Sequence, residues 1–193
     1  MATGTGTRAA ETAVRKQRLL DAACALAAEG GYDAVQMRDV AARAEVALGT
    51  LYRHYASKDQ LLLAAMAQQA ATLRERLVQR PPRGTTPSAR VADVLRRATR
   101  ALERDPSVTK AMLCAMASSD DGSLPIKDEI DATLRAIIAD AVDGSNDRIA
   151  HLDEIVGVLG AVWFAELTYW SNGLTRSANM ADNLAKAAAL LLP

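Results

Sequence analysis

The chain has 193 residues, with 23 Lys and Arg against 23 Asp and Glu. A formal net charge of zero excludes a protein that coats nucleic acid indiscriminately, so any affinity for DNA must come from local placement of charge. Half of the residues are apolar and few are aromatic, a composition that favours helices packed on helices and leaves enough chain for a substantial core.

The first segment, Met1 to about Glu11, is small and polar and reads as a mobile arm. Arg8, Arg15, Lys16 and Arg18 face only Glu11 among the first twenty residues. The arm is either an end of no consequence or a basic strand adding phosphate contacts on DNA. From about Thr12 to Glu29, Leu19, Leu20, Ala23, Leu26 and Ala27 mark one face of a helix that Gly30-Gly31 stops. Tyr32, Ala34 and Val35 are expected to fold over a small core, which Met37, Val40 and Ala41 continue on a short second helix with Arg38 and Arg43 on its outer side.

The stretch Glu45 to Tyr55 has two faces. Val46, Leu51 and Tyr55 are spaced to pack, while Thr50, Tyr52, Arg53 and His54 lie together on another side. Gly49 and Thr50 near the start of this helix let a phosphate or base edge approach closely, Tyr52 and His54 offer hydrogen bonds, and Arg53 carries a fork that fits phosphate or guanine. Ser57-Lys58-Asp59-Gln60 reads as a capping box opening a helix from about Lys58 to Gln79. Lys58 in its first turn opposes the helix dipole, which suggests a bound anion. The helix ends before Pro81-Pro82, and residues 80–87 form a loop.

The second half is a run of further helices. Thr86-Pro87 and Asp105-Pro106 are start signals of N-cap and first-turn proline. The first of these helices buries Val91, Val94, Leu95, Ala98 and Leu102, and the second carries Val108, Met112, Leu113 and Met116. Beyond the polar connector Ser118 to Ser123, one helix carries Ile126, Ile130, Leu134, Ile137 and Ile138 and stops near Asp143-Gly144. A long apolar helix from about Asp147 to Asn172 and a last one from Ser177 to Leu192 complete the chain. Apolar residues cover most of the circumference between Ile155 and Trp170, so that surface is either the centre of one domain or a seam between two chains.

Five blocks, Leu19-Leu20-Asp21-Ala22-Ala23, Gly30-Gly31-Tyr32-Asp33-Ala34, Met37-Arg38-Asp39-Val40-Ala41, Gly49 to Tyr55, and Ser57-Lys58, resemble in order and spacing the DNA-binding head of the TetR family of bacterial repressors. Within it, the run from Gly30 to Arg53 looks most like the repressors of sterol (cholesterol) catabolism, with an echo in Val162-Trp163 and Trp170. The resemblance implies an all-α protein of about nine helices: a three-helix helix-turn-helix head with a flexible basic arm over residues 1–57, and a helical ligand-binding and dimerisation domain over 58–193. It implies that Lys58 meets a DNA phosphate, that the last two helices form the seam of a homodimer, and that the effector is a sterol-derived acyl-CoA.

The expected DNA-binding set is Arg38, Leu48, Gly49, Thr50, Tyr52, Arg53, His54 and Lys58, with Arg18 as a further phosphate contact, on a pseudo-palindromic double-stranded operator. Ligand sites in helix bundles lie between helices and are mostly apolar. Met66, Leu95, Met112, Leu113, Met116, Ile130, Trp163, Phe164 and Leu167 are expected to line an elongated cavity, with Glu166 and Tyr169 orienting a polar end of a hydrophobic effector. Neither His54 nor His151 has partners spaced as a metal site or catalytic triad. Neither enzyme chemistry nor a cofactor is expected. Cys24 and Cys114 read as small buried hydrophobes. No apolar run approaches the ~20 residues that span a bilayer and no leader-like segment opens the chain, so a cytoplasmic location is expected. The alternatives are a repressor of an efflux or fatty-acid operon and, in another class, a carrier or enzyme for an apolar metabolite that does not bind DNA.

Overall fold

The computed structural model describes residues 4–142, 149 and 151–192, with side chains from Ala10 onward. Among the described residues the elements are all helical: α1 (Gly4–Ala34), α2 (Met37–Arg43), α3 (Leu48–His54), α4 (Lys58–Gln79), α5 (Pro87–Leu102), α6 (Pro106–Ala117), a 3-10 turn (Asp121–Ser123), α7 (Leu124–Val142), α8 (Leu152–Ser171) and α9 (Ser177–Leu191). No helix among them is long and apolar enough to cross a membrane.

Helix α1 starts at Gly4, inside the segment expected as an arm. Ala9, Ala10 and Glu11 are good helix formers, and extending a helix already nucleated downstream is easy. The side chain of Arg8 lies outside the described residues. The helical path breaks at Gly30 and Gly31, the latter at φ 70°, a left-handed conformation in which a side chain is strained. The break turns the chain so that Val35 closes over the head, fully buried.

Local chemistry accounts for most of the other boundaries. The Thr86 hydroxyl accepts the Ala89 N–H and the Asp105 carboxylate accepts the Val108 N–H, each followed by proline in the first turn. At α4 the Ser57 hydroxyl accepts the Gln60 N–H at 3.2 Å. The return bond differs from a simple capping box: Gln60 Oε1 accepts from Ala56 N–H at 2.9 Å, one residue before the cap. The predicted stop at Asp143-Gly144 and start at Asp147 lie outside the described residues.

Two cores result. The first gathers Leu19, Ala23, Val40, Leu51, Tyr55 and Leu62 with Met112 and Ile130, so the three-helix head is seated on α6 and not hung from α4 alone. The second gathers Leu95, Leu113, Ile138, Leu159, Trp163 and Leu184 from α5 to α9, with the Trp163 indole donating to the Thr99 hydroxyl at 3.1 Å. Arg90 is buried between α5 and α7, donating through Nε to the Ala141 carbonyl (2.7 Å) and through Nη2 to that of Val142 (3.1 Å).

The cysteines depart from expectation. Cys114 is exposed because α6 turns Ala111, Met112 and Ala115 inward and residue 114 falls off that face. Cys24 is half-buried, and burial, then the nearby Asp21 and Asp105 carboxylates, push its thiol up to about 11.

Candidate nucleic-acid interface and effector site

Helix α3 is fixed from beneath by Leu51 and Tyr55, both buried, and by the half-buried Val46 and Leu48 packed on the same core. Leu48, expected on the DNA face, therefore serves largely as an anchor. On the opposite side Gly49, Tyr52 and Arg53 are exposed, and half of the Tyr52 surface, 50%, is open to solvent. Arg53 Nη2 donates to the Thr50 hydroxyl at 2.9 Å, which holds the guanidinium along the helix with its remaining donors free among the described residues.

His54 is half-buried and its ring lies tilted against Tyr55, with centroids 6.4 Å apart. Desolvation first, then the charges of Lys16, Arg53 and Arg15, lower its pKa below the ordinary 6.5. The imidazole is therefore neutral near pH 7, able to donate through one nitrogen and accept through the other. Arg15 and Lys16 of α1 are thus near enough for their charges to act on His54. Arg15, Lys16 and Arg53 add positive charge around His54, and all three are exposed.

The other basic residues are held differently. Arg18 pairs with Glu45 at 2.8 Å and Arg43 with Glu29 at 2.6 Å, all four exposed. Exposed pairs of this kind are weak, and a phosphate can exchange for the carboxylate. Arg38 is exposed on α2 and makes no ion pair among the described residues. Lys58 is folded back on Tyr32: its Nζ donates to the Tyr32 carbonyl at 3.2 Å and lies 3.7 Å from the ring centroid. The Tyr32 hydroxyl in turn donates to Asp59 at 2.5 Å. The carbonyl and the ring face answer a lysine that opposes the dipole of α4, so an anion is not needed to explain its position. Replacing Lys58 with Ala is expected to weaken all DNA binding and to flatten its salt dependence by about one unit of slope if the side chain swings to a phosphate. Operator titrations over a salt series check this, and an unaltered slope leaves Lys58 as a strap on Tyr32.

The residues expected around an effector fall into two groups. Met112 and Ile130 are buried in the first core, with Met66 and Met116 half-buried against it, whereas Leu95, Leu113, Trp163 and Leu167 belong to the second. Helix α6 joins the groups through the adjacent Met112 and Leu113, and Leu134 touches both cores. Phe164 and Tyr169 stand on the outer side of α8, 37% and 51% exposed, away from Trp163 and Leu167. Glu166 is half-buried: Oε1 accepts from Asn183 Nδ2 at 2.9 Å, and Oε2 is buried without a hydrogen-bond partner among the described residues.

Comparison with known proteins accords with this geometry. The family profile described as bacterial regulatory proteins, tetR family, matches residues 19–65, and that described as tetracyclin repressor-like, C-terminal domain, matches residues 84–191. The chain is similar to the HTH-type transcriptional repressor KstR of Rhodococcus jostii (strain RHA1), 36% identical over 92% of this chain and 82% of that protein. A TetR transcriptional regulator from Rhodococcus sp. RHA1 has a crystal structure with a TM-score of 0.85 and 32% identity, covering 94% of this chain and 97% of that one. The fold is also shared with FadR of Bacillus subtilis, solved in complex with stearoyl-CoA, at a TM-score of 0.67 and 18% identity over 91% of this chain and 97% of that one.

Proposed function

Because the chain belongs to the TetR family of bacterial regulatory proteins, we propose that it is a ligand-responsive repressor of lipid or sterol catabolism genes. In this reading two copies bind a pseudo-palindromic operator and leave it when a large apolar effector, such as a sterol-derived acyl-CoA thioester, binds the helical body. The observation that carries the reading is the division of α3, with Leu51 and Tyr55 locked into the core while Tyr52 and Arg53 are exposed on the other side. Base contacts from Thr50, Tyr52, Arg53 and His54 specify sequence, and phosphate contacts from Arg15, Lys16, Arg38 and Lys58 fix register.

A pair of copies is supported by α8. Val156, Leu159, Trp163 and Leu167 bury one stripe of it within the chain, yet Val158 (49%) and Phe164 (37%) stay exposed on the other side. Among the described residues, nothing outside the local backbone of α8 comes within 4 Å of where a Gly160 side chain would begin. An apolar, small-residue helix face left bare within one chain suits a second copy, and two heads about 34 Å apart match successive turns of DNA. An effector that favours a swung position of α4 alters that spacing. It acts only through its difference in affinity for the two arrangements, typically ~1 to 3 kcal/mol.

The sterol branch is favoured by the similarity to KstR, and a fatty acyl-CoA is the second reading because a protein of this fold, FadR, was solved with stearoyl-CoA. Selection of bound duplex from a random pool, repeated with sterol acyl-CoA and with fatty acyl-CoA thioesters, tests both halves. The expected result is an inverted repeat lost on addition of one class of thioester. Recovery of no preferred sequence, with lipid binding retained, would favour a carrier.

A further inference from the structure

We propose that Asp120 is a positioning residue for DNA recognition, latching the first turn of α4, and through it the reading helix α3, to the connector between α6 and α7. The inference rests on the reading of the chain as a DNA-binding repressor. Ser57 Oγ donates to Asp120 Oδ2 at 3.0 Å across 63 positions of sequence. Ser123 Oγ donates to the same oxygen at 2.8 Å, and the Gly122 N–H donates to Oδ1 at 3.1 Å. The connector is itself tied down, since the Asp120 N–H donates to the Ser118 hydroxyl at 3.3 Å and Lys127 Nζ to the Ser118 carbonyl at 2.5 Å. The hydroxyls of Ser123 and Ser57 hold the Asp120 carboxyl below the usual carboxylate range, so the acceptor is ionised at neutral pH.

Ser57 is the N-cap of α4 and lies two residues after Tyr55, the C-cap of α3. Its hydroxyl is used twice, accepting from Gln60 within α4 and donating to Asp120 in the body. Gly122 also lies close to α4, since a Cβ at that position would stand 2.7 Å from Gln60 Nε2. That amide cannot swing aside freely, because its Oε1 holds the Ala56 N–H. The start of α4 is thus bonded through Ser57 to a short polar turn that leads into α7, with Gln60 close against the same turn.

Charge and position predict opposite signs here. Removing a carboxylate from a DNA-binding protein tightens its hold on a polyanion if only charge matters. Releasing the latch lets α3 and the start of α4 sample more orientations, which the operator must then restrict. In the full-length chain, Asp120→Ala is expected to weaken binding to the selected operator by about fivefold or more, with an unchanged salt slope because no phosphate contact is lost. Asp120→Asn, which keeps an acceptor oxygen, is expected to recover most of the affinity. Gly122→Ala, which leaves the charge alone and pushes on Gln60, is expected to weaken binding in the same way. Hydrogen exchange supplies a readout without DNA: Asp120→Ala is expected to raise exchange over residues 48–61 relative to α5 and α9. Affinity equal to or tighter than wild type in Asp120→Ala overturns the latch, as does unchanged exchange over 48–61. A wild-type chain that binds no duplex overturns the repressor reading, while the exchange result still decides the latch.

Discussion

Replacing Arg90 with Ala is expected to lower the unfolding free energy by about 2 to 4 kcal/mol, the largest stability effect of any single charged residue in the chain. The guanidinium is buried, and no carboxylate pairs with it among the described residues. Its charge is balanced instead by the Ala141 and Val142 carbonyls at the end of α7, where a helix dipole presents its negative pole. Removing the side chain takes one charged donor from each of those carbonyls, on residues each 1% exposed. It also removes a buried side chain from beside Ala141 and Val142 of the second core. For a chain of this size ~1 kcal/mol shifts the melting temperature by roughly 2 to 4 °C, so thermal unfolding followed by circular dichroism resolves the effect. Arg96→Ala is the control, because Arg96 is only half-buried, with 43% of its side chain open to solvent, and Arg97 continues to serve Asp93 at 2.6 Å. An Arg90→Ala variant melting with the control shows that water reaches those carbonyls and that the bonds contribute little.

Arg90 also shows where reading the sequence stops. The helices themselves were legible because their ends carry chemistry that acts over three or four residues: Ser57 before Gln60, Thr86-Pro87, Asp105-Pro106, and glycines at the break in α1. The face of α3 was legible for the same reason, since Leu51 and Tyr55 are one turn apart and leave Tyr52 and Arg53 outward. Periodicity says that a residue is covered and is silent about what covers it. Arg90 lies in an amphipathic helix and reads as a surface charge until α7 is seen to end against it. Asp120 reads as part of a polar connector, and only the bond from Ser57, 63 positions away, assigns it a task. The same silence placed Met112 and Trp163 in one cavity, whereas they belong to different cores, and placed Phe164 and Tyr169 inward on a helix that points them out. The basic residues of α1 carried a partial signal, as a local excess of charge in a neutral chain. That the charges of Arg15 and Lys16 act on His54 is a tertiary effect.

Replacing Arg53 with Ala is expected to reduce specific operator affinity by ~1 to 3 kcal/mol, about fivefold to more than a hundredfold, and to relax preference at the base it meets. The side chain is exposed at the end of a helix whose other face is locked by Leu51, so its loss removes contacts without disturbing the core. The single bond to the Thr50 hydroxyl orients the guanidinium and leaves its other N–H groups for a paired contact with guanine or a phosphate. Arg53→Lys separates those partners. A lysine keeps the charge and loses the planar fork, so it restores a phosphate contact and fails to restore a bidentate base contact. Tyr52→Phe makes the corresponding distinction next to it: the ring, half of it exposed, stays in place while the hydroxyl is lost. Titrations of each variant against the selected operator and against a duplex altered at one base pair of each half-site measure affinity and preference together. Equal losses on both duplexes assign Arg53 to the backbone. A loss confined to the cognate duplex assigns it to a base, and unchanged binding on both removes α3 from the interface and with it the division of faces on which the repressor reading stands.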